Sequence, residues 1–302
     1  MGKRVAVTGS TGLIGGALCR HLVSRGDSVV RLVRRPTEAA DEVQWDPASG
    51  SLAPAALDGV DAVVNLAGVG IGDKRWDDEY KRAVETSRID ATGTVVRALT
   101  DHLERTGNRV RLVNASAVGF YGDRGDEVLT ERSPAGDDFL AGLTTRWEAA
   151  TAPAAAAGLD VAYVRTGLVM ARGGGAFKPL LLLARLGLGG PLSSGEQWMP
   201  WITLPDEVRA IVHLVDQPDV TGPVNLTGPA PVRQKEMAKV LGRAVSRPAF
   251  VPAPRLALRV VVGEFADSIL ASQRVMPDVL RDSGFVFEHE RVTDAVSWLT
   301  AG

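Results

Sequence analysis

The chain alternates short apolar runs with stretches in which apolar residues recur every three or four positions. Val5–Thr8, Ser28–Val33, Asp61–Gly68, Arg109–Ser116 and Asp160–Gly167 are the short runs. They carry little or no polar face, the pattern of strands buried on both sides in a parallel sheet. Helical patterns lie between them. One opens at Leu13 and continues through Ile14, Ala17, Leu18, Leu22 and Val23; a long one runs from about Trp76 to Leu99, with Tyr80, Val84, Ile89, Val95 and Val96 on its apolar face. Asp137 to Ala157 reads as mostly helical, broken at Pro153. This alternation predicts an α/β fold with a doubly wound parallel sheet.

After Met170 the texture changes. A glycine-rich loop over Arg172–Pro179, an apolar helix over Leu180–Leu188 and a break at Gly189-Gly190-Pro191 predict a lid or substrate insertion over 170–200. Trp198–Ile202, a helix from Pro205 to about Val215 and a last strand at Val224–Leu226 return to the sheet. From Pro231 onward, helices broken by prolines predict a small, mostly helical C-terminal substrate lobe, which divides the chain at 1–228 and 229–302.

Composition narrows the partners. Thirty-four basic and 36 acidic residues leave a net charge of −2, which gives no attraction to nucleic acid or to an anionic membrane. Cys19 is the single cysteine, so it forms no internal disulfide, and it sits on the apolar face of the first helix as core packing. The N-terminus enters a strand at once, without room for a signal peptide, and no apolar run reaches membrane-spanning length; the expectation is a cytoplasmic protein. His21, His102, His213 and His289 are scattered without metal-ligand spacing, so no metal is expected. Glu288-His289-Glu290 reads as a solvated charge run, and there is no Gly-x-Ser-x-Gly elbow of a hydrolase.

The chemistry concentrates where the first strand meets the first helix. Gly9, Ser10, Thr11, Gly12, Leu13, Ile14 and Gly15 form a GxxGxxG turn there. Bare backbone lets a pyrophosphate approach, and the N–H groups and dipole of the helix start meet its charge. A Rossmann start is therefore expected, with Leu66, Ala67 and Gly68 at the end of the third run and Ala115 at the end of the fourth completing a dinucleotide site. Arg34 and Arg35 end the second strand, beside the adenosine ribose of such a site. Two arginines suit a 2′-phosphate, which selects NADP(H).

Thr8 to Gly15 (TGSTGLIG), Asn65-Leu66-Ala67-Gly68 and Ser116 resemble the extended, sugar-nucleotide-epimerase-like branch of the short-chain dehydrogenase/reductase superfamily. A closer resemblance is to its atypical "epimerase family" group, which carries a C-terminal domain of unknown function. The matching motifs are Arg75-Trp76 with Lys81, Ser87-Arg88-Ile89, Asn114 to Gly122, Trp147-Glu148, Arg165-Thr166-Gly167, Gly187 to Leu192, Gln197 to Ile202 and Gln273 to Pro277. They run nearly the whole length of the chain.

That resemblance implies a Ser or Thr acting with Tyr-x-x-x-Lys. The chain departs from it: Tyr80, Tyr121 and Tyr163 are followed four places on by Val84, Gly125 and Gly167, and the usual tyrosine and lysine places fall near Leu140 and Thr144. Ser116 remains to hold a reacting oxygen, and Tyr121 is the candidate substitute acid. Lys81, Arg165 and Trp201 are the candidate contacts to a small-molecule substrate. Lys81 and Arg88 lie seven apart on one helix face; the resemblance implies that both could line the site, while solvated charges are the plainer expectation, and Arg165 faces either an anionic substrate or a structural carboxylate. Trp201-Ile202-Thr203 departs from the family's Trp-Ile-His, so a role for that histidine is lost. The resemblance implies an NADP(H)-dependent oxidoreductase or epimerase-like enzyme, dimerising with a second copy through its long helices. Two alternatives stay open: an NADP-binding protein with little catalysis, in a structural or sensing role such as division, and a non-redox isomerase or dehydratase in the same crevice.

Overall fold

The computed structural model describes residues 2–175 and 177–301; Ala176, inside the expected lid, lies outside the described residues. Seven strands form one parallel sheet: β1 (Arg4–Thr8), β2 (Ser28–Val33), β3 (Glu42–Gln44), β4 (Ala62–Asn65), β5 (Arg111–Ala117), β6 (Val161–Thr166) and β7 (Gly222–Leu226), in the order β7-β6-β5-β4-β1-β2-β3. β1 lies between β2 and β4, with Thr8 opposite Leu32 on one side and Asn65 on the other. Chain order reverses beside β1, so a crevice opens there at the carboxyl ends of the strands.

The apolar runs explain the layering. Val5, Val7, Val64 and Val113 face one core, with Leu18 and Leu22 of α1 (Leu13–Ser24). Ala6, Val63 and Leu112 face the opposite core, with Val95 and Leu99 of α2 (Asp78–Thr106). Strands covered on both faces need no polar side, which is why they read as unbroken runs. The Asp77 carboxylate caps α2 by accepting from the Tyr80 N–H, and Gly107, at φ 72°, ends it.

α3 (Phe139–Ala149) starts on an Asp138 cap and gives way to α4 (Ala152–Ala156). The break falls at Ala150-Thr151, and Pro153 occupies the first turn of α4, where its missing N–H costs nothing. α5 (Phe177–Arg185) begins three residues before the sequence pattern indicated. α6 (Leu204–Asp216) covers the first core. Phe177 and Leu181 of α5 share a third core with Trp201, with Met237 and Leu241 of α7 (Gln234–Ala244), and with Val296 and Leu299 near the C-terminus. The short edge strand β3 was not foreseen. Among the described residues no helix is long and apolar enough to cross a membrane.

Candidate functional site

The glycine turn is shaped by contact as well as by flexibility. Gly9 adopts φ +63°, and a Cβ there would stand 2.8 Å from the Leu66 carbonyl oxygen. A Cβ on Gly15 would stand 2.2 Å from the Gly9 carbonyl oxygen, so α1 packs directly on the turn. Gly12 is the N-cap of α1 and carries no side chain to occupy the helix's free N–H groups.

A crevice of about 640 Å³ opens over this turn, a volume in the range of small-molecule and cofactor sites. Gly9, Ser10, Thr11 and Gly12 form its floor; Leu66, Ala67 and Gly68 form the wall beyond β4, and Arg34 and Arg35 stand at the β2 end. Leu13, Ile14, Gly15 and Ala115 lie outside this lining: Ile14 and Ala115 pack against the core, and Leu13 meets the positions a Cβ would take on Gly174 and Gly175. The glycine loop of the expected lid thus lies against the start of α1.

The two arginines differ. Arg35 donates to both oxygens of Glu42 on β3, at 3.0 and 2.7 Å. Arg34 is exposed and pairs with no carboxylate among the described residues. Trp45, Pro47 and Ala48, just past β3, and Ser87 and Asp90 of α2 also line the crevice. Sequence reasoning did not place them, because they reach it through the unforeseen strand β3 and the inner face of α2.

A buried polar network fixes this corner. The Thr8 hydroxyl donates to Asn65 Oδ1 at 2.7 Å and accepts the N–H groups of Leu66 and Ala67 at 2.9 and 3.0 Å. Asn65 Nδ2 donates to Asn114 Oδ1 at 2.7 Å and to Thr92 Oγ1 at 3.1 Å, and Trp147 Nε1 donates to the same threonine at 3.0 Å. One network therefore joins β1, β4, β5, α2 and α3. Fully partnered, it holds the strand ends in one arrangement.

Ser116 lies at the carboxyl end of β5, buried, and its hydroxyl donates to Glu148 Oε1 at 2.6 Å. Arg165 grips the same carboxylate from β6 through Nε and Nη2, each at 2.8 Å. Burial alone would lower the Arg165 pKa, but the hydrogen bonds and charge of Glu148 outweigh it and raise it. Of the two partners expected for Arg165, the structural carboxylate is the one present. Glu148 was visible in sequence only as part of Trp147-Glu148.

Two expectations need correction. Tyr121 does not face the crevice: it is fully buried, its hydroxyl donating to Asn225 Oδ1 at 2.7 Å and accepting from Arg165 Nη1 at 3.0 Å. Burial pushes its pKa up to about 12 against the pull of Arg165, so it is a poor proton donor to a substrate it cannot touch. Trp201 is buried in the third core, its ring against Gly228 and its Nε1 without a partner among the described residues, so it presents no surface to a substrate. Lys81, a candidate substrate contact, pairs with Glu264, at 2.5 and 2.6 Å, over the rings of Trp76 and Phe139.

Two charged groups expected in solvent also lie inward. His289 packs beside Thr203, its Nδ1 3.1 Å from the hydroxyl and 3.3 Å from Asp206 Oδ2, so an imidazole from the C-terminal segment stands next to residue 203. Arg88 packs between the crevice wall and α3. Among the described residues no three His, Cys, Asp or Glu side chains gather as a metal-ligand set.

Comparison with known proteins is consistent along the whole chain. The model of the NAD dependent epimerase/dehydratase family matches residues 5–227, and a domain of unknown function, DUF1731, matches residues 253–299. An epimerase family protein of Mycobacterium bovis is 44% identical over 297 residues, covering 98% of this chain and 97% of its own. A chloroplastic epimerase family homologue from Arabidopsis thaliana is 36% identical, covering 97% of this chain and 85% of its own. A human epimerase family protein solved with NADPH superposes with a TM-score of 0.87 at 33% identity, covering 98% of this chain and 99% of that one. A nucleoside-diphosphate sugar epimerase from Corynebacterium glutamicum gives a TM-score of 0.78 at 34% identity, covering 99% of this chain and 59% of that one.

Proposed function

The chain belongs to the NAD dependent epimerase/dehydratase family, and from that premise we propose that it is an NADP(H)-dependent oxidoreductase or epimerase-like enzyme acting on a small molecule. The observation that carries this reading is the crevice over the glycine turn, with Arg34 unpaired at its β2 end. Its floor has no room for a Cβ at Gly9, and it opens on the free N–H groups of α1, which suits a diphosphate. Arg34 suits a 2′-phosphate. The human relative solved with NADPH supports the same choice.

When bound, the nicotinamide ring supplies or accepts a hydride. Ser116, one strand beyond Gly68, holds the reacting oxygen of the substrate by hydrogen bond. Its hydroxyl proton points to Glu148 Oε1, so Ser116 Oγ accepts the hydrogen bond of a substrate hydroxyl and, as it takes that proton, passes its own to the carboxylate that Arg165 keeps in place; carbonyl reduction runs the same relay backwards, from the protonated carboxyl through Ser116 to the substrate oxygen. Glu148 replaces Tyr121 as the group that handles the proton.

A second reading, nucleotide binding without turnover, draws on the absence of any tyrosine hydroxyl at the expected place. The usual tyrosine and lysine places fall near Leu140 and Thr144, and the Thr144 hydroxyl is spent on the Leu140 carbonyl at 2.7 Å. NADPH fluorescence separates the two readings. Binding is measured first, then oxidation against a panel of carbonyl compounds, for the wild type, Ser116→Ala and Glu148→Gln. The expected result is oxidation that falls about 100-fold or more in both variants with binding unchanged. Binding without oxidation of any compound supports the second reading, and absence of binding overturns the reading of the crevice.

A further inference from the structure

α5 is apolar on two opposite faces. Phe177, Leu181 and Ala184 point into the third core, while Leu182 and Leu186, on the far side, are 58% and 63% exposed. A helix patterned in this way is built to be covered on both sides. α8 (Arg255–Val262) repeats the anomaly: none of its residues is buried, and Leu256, Val260 and Val261 are 74%, 67% and 71% exposed. Phe250 and Val251, on the segment leading into α8, are exposed as well.

The two helices belong to one surface. Arg247 Nε donates to the Arg185 carbonyl at 3.2 Å, and a Cβ on Gly187 would stand 3.7 Å from the Pro248 ring. The Ala253 N–H donates to the Pro191 carbonyl, and the Ser193 N–H to the Ala253 carbonyl, each at 2.8 Å. Nine of the twelve large apolar side chains that stand exposed among the described residues fall on 182–188 and 250–261. Exposed apolar residues scattered singly are ordinary, whereas a contiguous group marks a face that is covered in use.

The charge around this face has one sign. Residues 177–193 include Lys178 and Arg185 and no acidic residue. Residues 237–263 include Lys239, Arg243, Arg247, Arg255 and Arg259, and again no acidic residue. Arg255 and Arg259 share the one carboxylate of Asp267, while the other five form no ion pair among the described residues. The net charge of −2 averages over this separation and conceals it.

Apolar exposure and positive charge together select what covers the face. A second copy docked face to face would set these cations against their own duplicates. An anionic bilayer meets both features. Apolar side chains enter the boundary between headgroups and acyl chains, and the long stems of Lys and Arg keep their charges at the lipid phosphates. We propose that the face formed by α5, the 247–254 segment and α8 docks the protein on an anionic phospholipid membrane, lying on the surface without crossing it.

The test floats the full-length protein with vesicles of phosphatidylcholine alone, and of phosphatidylcholine with about one-third phosphatidylserine, at about 0.1 M and about 0.5 M salt. Wild type is compared with Leu256→Ser combined with Val260→Ser, and with Arg243→Gln combined with Arg247→Gln. Wild type is expected to bind the anionic vesicles about tenfold or more tightly than phosphatidylcholine, and several-fold less at the higher salt. Each double variant is expected to lose about tenfold in affinity for the anionic vesicles. All four side chains are exposed, and thermal unfolding checks that the variants fold; if one does not, the other carries the same comparison. Failure of the wild type to bind anionic vesicles overturns the proposal. Binding that both variants retain in full also overturns it, because the membrane is then met elsewhere. Sedimentation velocity without lipid tests the rival occupant: Leu256→Ser with Val260→Ser is expected to leave the oligomeric state unchanged. A dimer that this variant dissociates would give the face to a second copy instead.

Discussion

Arg34 and Arg35 are adjacent in sequence, yet their surroundings divide the work between them. The Arg35 guanidinium is committed to Glu42, a carboxylate on the edge strand β3, whereas Arg34 has no carboxylate partner among the described residues. A 2′-phosphate offered to this end of the crevice gains a full counter-charge from Arg34 and only a shared one from Arg35. Arg34→Ala is expected to weaken NADPH binding about 10- to 100-fold while leaving NADH binding within about twofold, and Arg35→Ala to cost NADPH clearly less. Fluorescence titration with both nucleotides measures it. An equal loss for NADPH and NADH in Arg34→Ala would remove the 2′-phosphate assignment. The pair of arginines is plain in the sequence. Their difference is not, because it depends on a three-residue strand too short to show a period.

The β1–turn–α1 element makes its own prediction from two glycines one residue apart. A Cβ on Gly15 would lie 2.2 Å from the Gly9 carbonyl oxygen, whereas a Cβ on Gly16 would find nothing closer than 3.5 Å. Gly15→Ala must therefore push α1 off the turn, costing about 1–3 kcal/mol of stability together with nucleotide binding. Gly16→Ala fits in ordinary contact and gains up to about 1 kcal/mol from helix propensity. Thermal unfolding and NADPH titration of both variants check the pair, and similar behaviour of the two would contradict the packing described. At this scale the sequence was informative where a physical pattern is local. Strands covered on both faces appear as unbroken apolar runs, and a glycine turn between strand and helix is visible in a dozen residues. It was uninformative where direction depends on distant partners. Tyr121 turns inward because Asn225, 104 residues later, accepts its hydrogen bond, and Trp201 is buried because α5, α7 and the C-terminal residues Val296 and Leu299 enclose it. The Ser116–Glu148–Arg165 cluster draws on β5, α3 and β6, so only the fold brings it together.

Across the whole molecule, the C-terminal part is joined to the sheet by buried polar contacts. Gln273 Nε2 donates to the carbonyls of Val118 and Gly122 past the end of β5, and Glu131 Oε1 accepts the N–H of Asn225 at 3.0 Å and that of Val279 at 3.3 Å. Asp206 accepts the N–H groups of Glu288 and His289 at 2.8 and 3.0 Å. Next to Asp206 on α6, Glu207 is fully buried, with one oxygen accepting from Thr166 at 2.7 Å and the other without a partner among the described residues. Burial raises its pKa to about 8 against the lowering effect of that hydrogen bond. In the unfolded chain the same carboxyl has an ordinary pKa of about 4.3. Below that value both states hold the proton and the group leaves stability unchanged. Between the unfolded value and about 8 the folded state holds a proton that the unfolded state has lost, so stability falls as pH rises. Above about 8 the loss is complete, on the order of a few kcal/mol. Glu207→Gln keeps the shape and the neutral state and removes the titration. The wild type is expected to lose stability relative to this variant steadily from pH 5 to pH 9, with the two closest at the acid end. Denaturant unfolding of both proteins across that range measures the difference directly. Parallel pH profiles would mean that Glu207 ionises in the folded protein as freely as in water, and that water or a cation reaches this seam between α6 and the carboxyl end of β6.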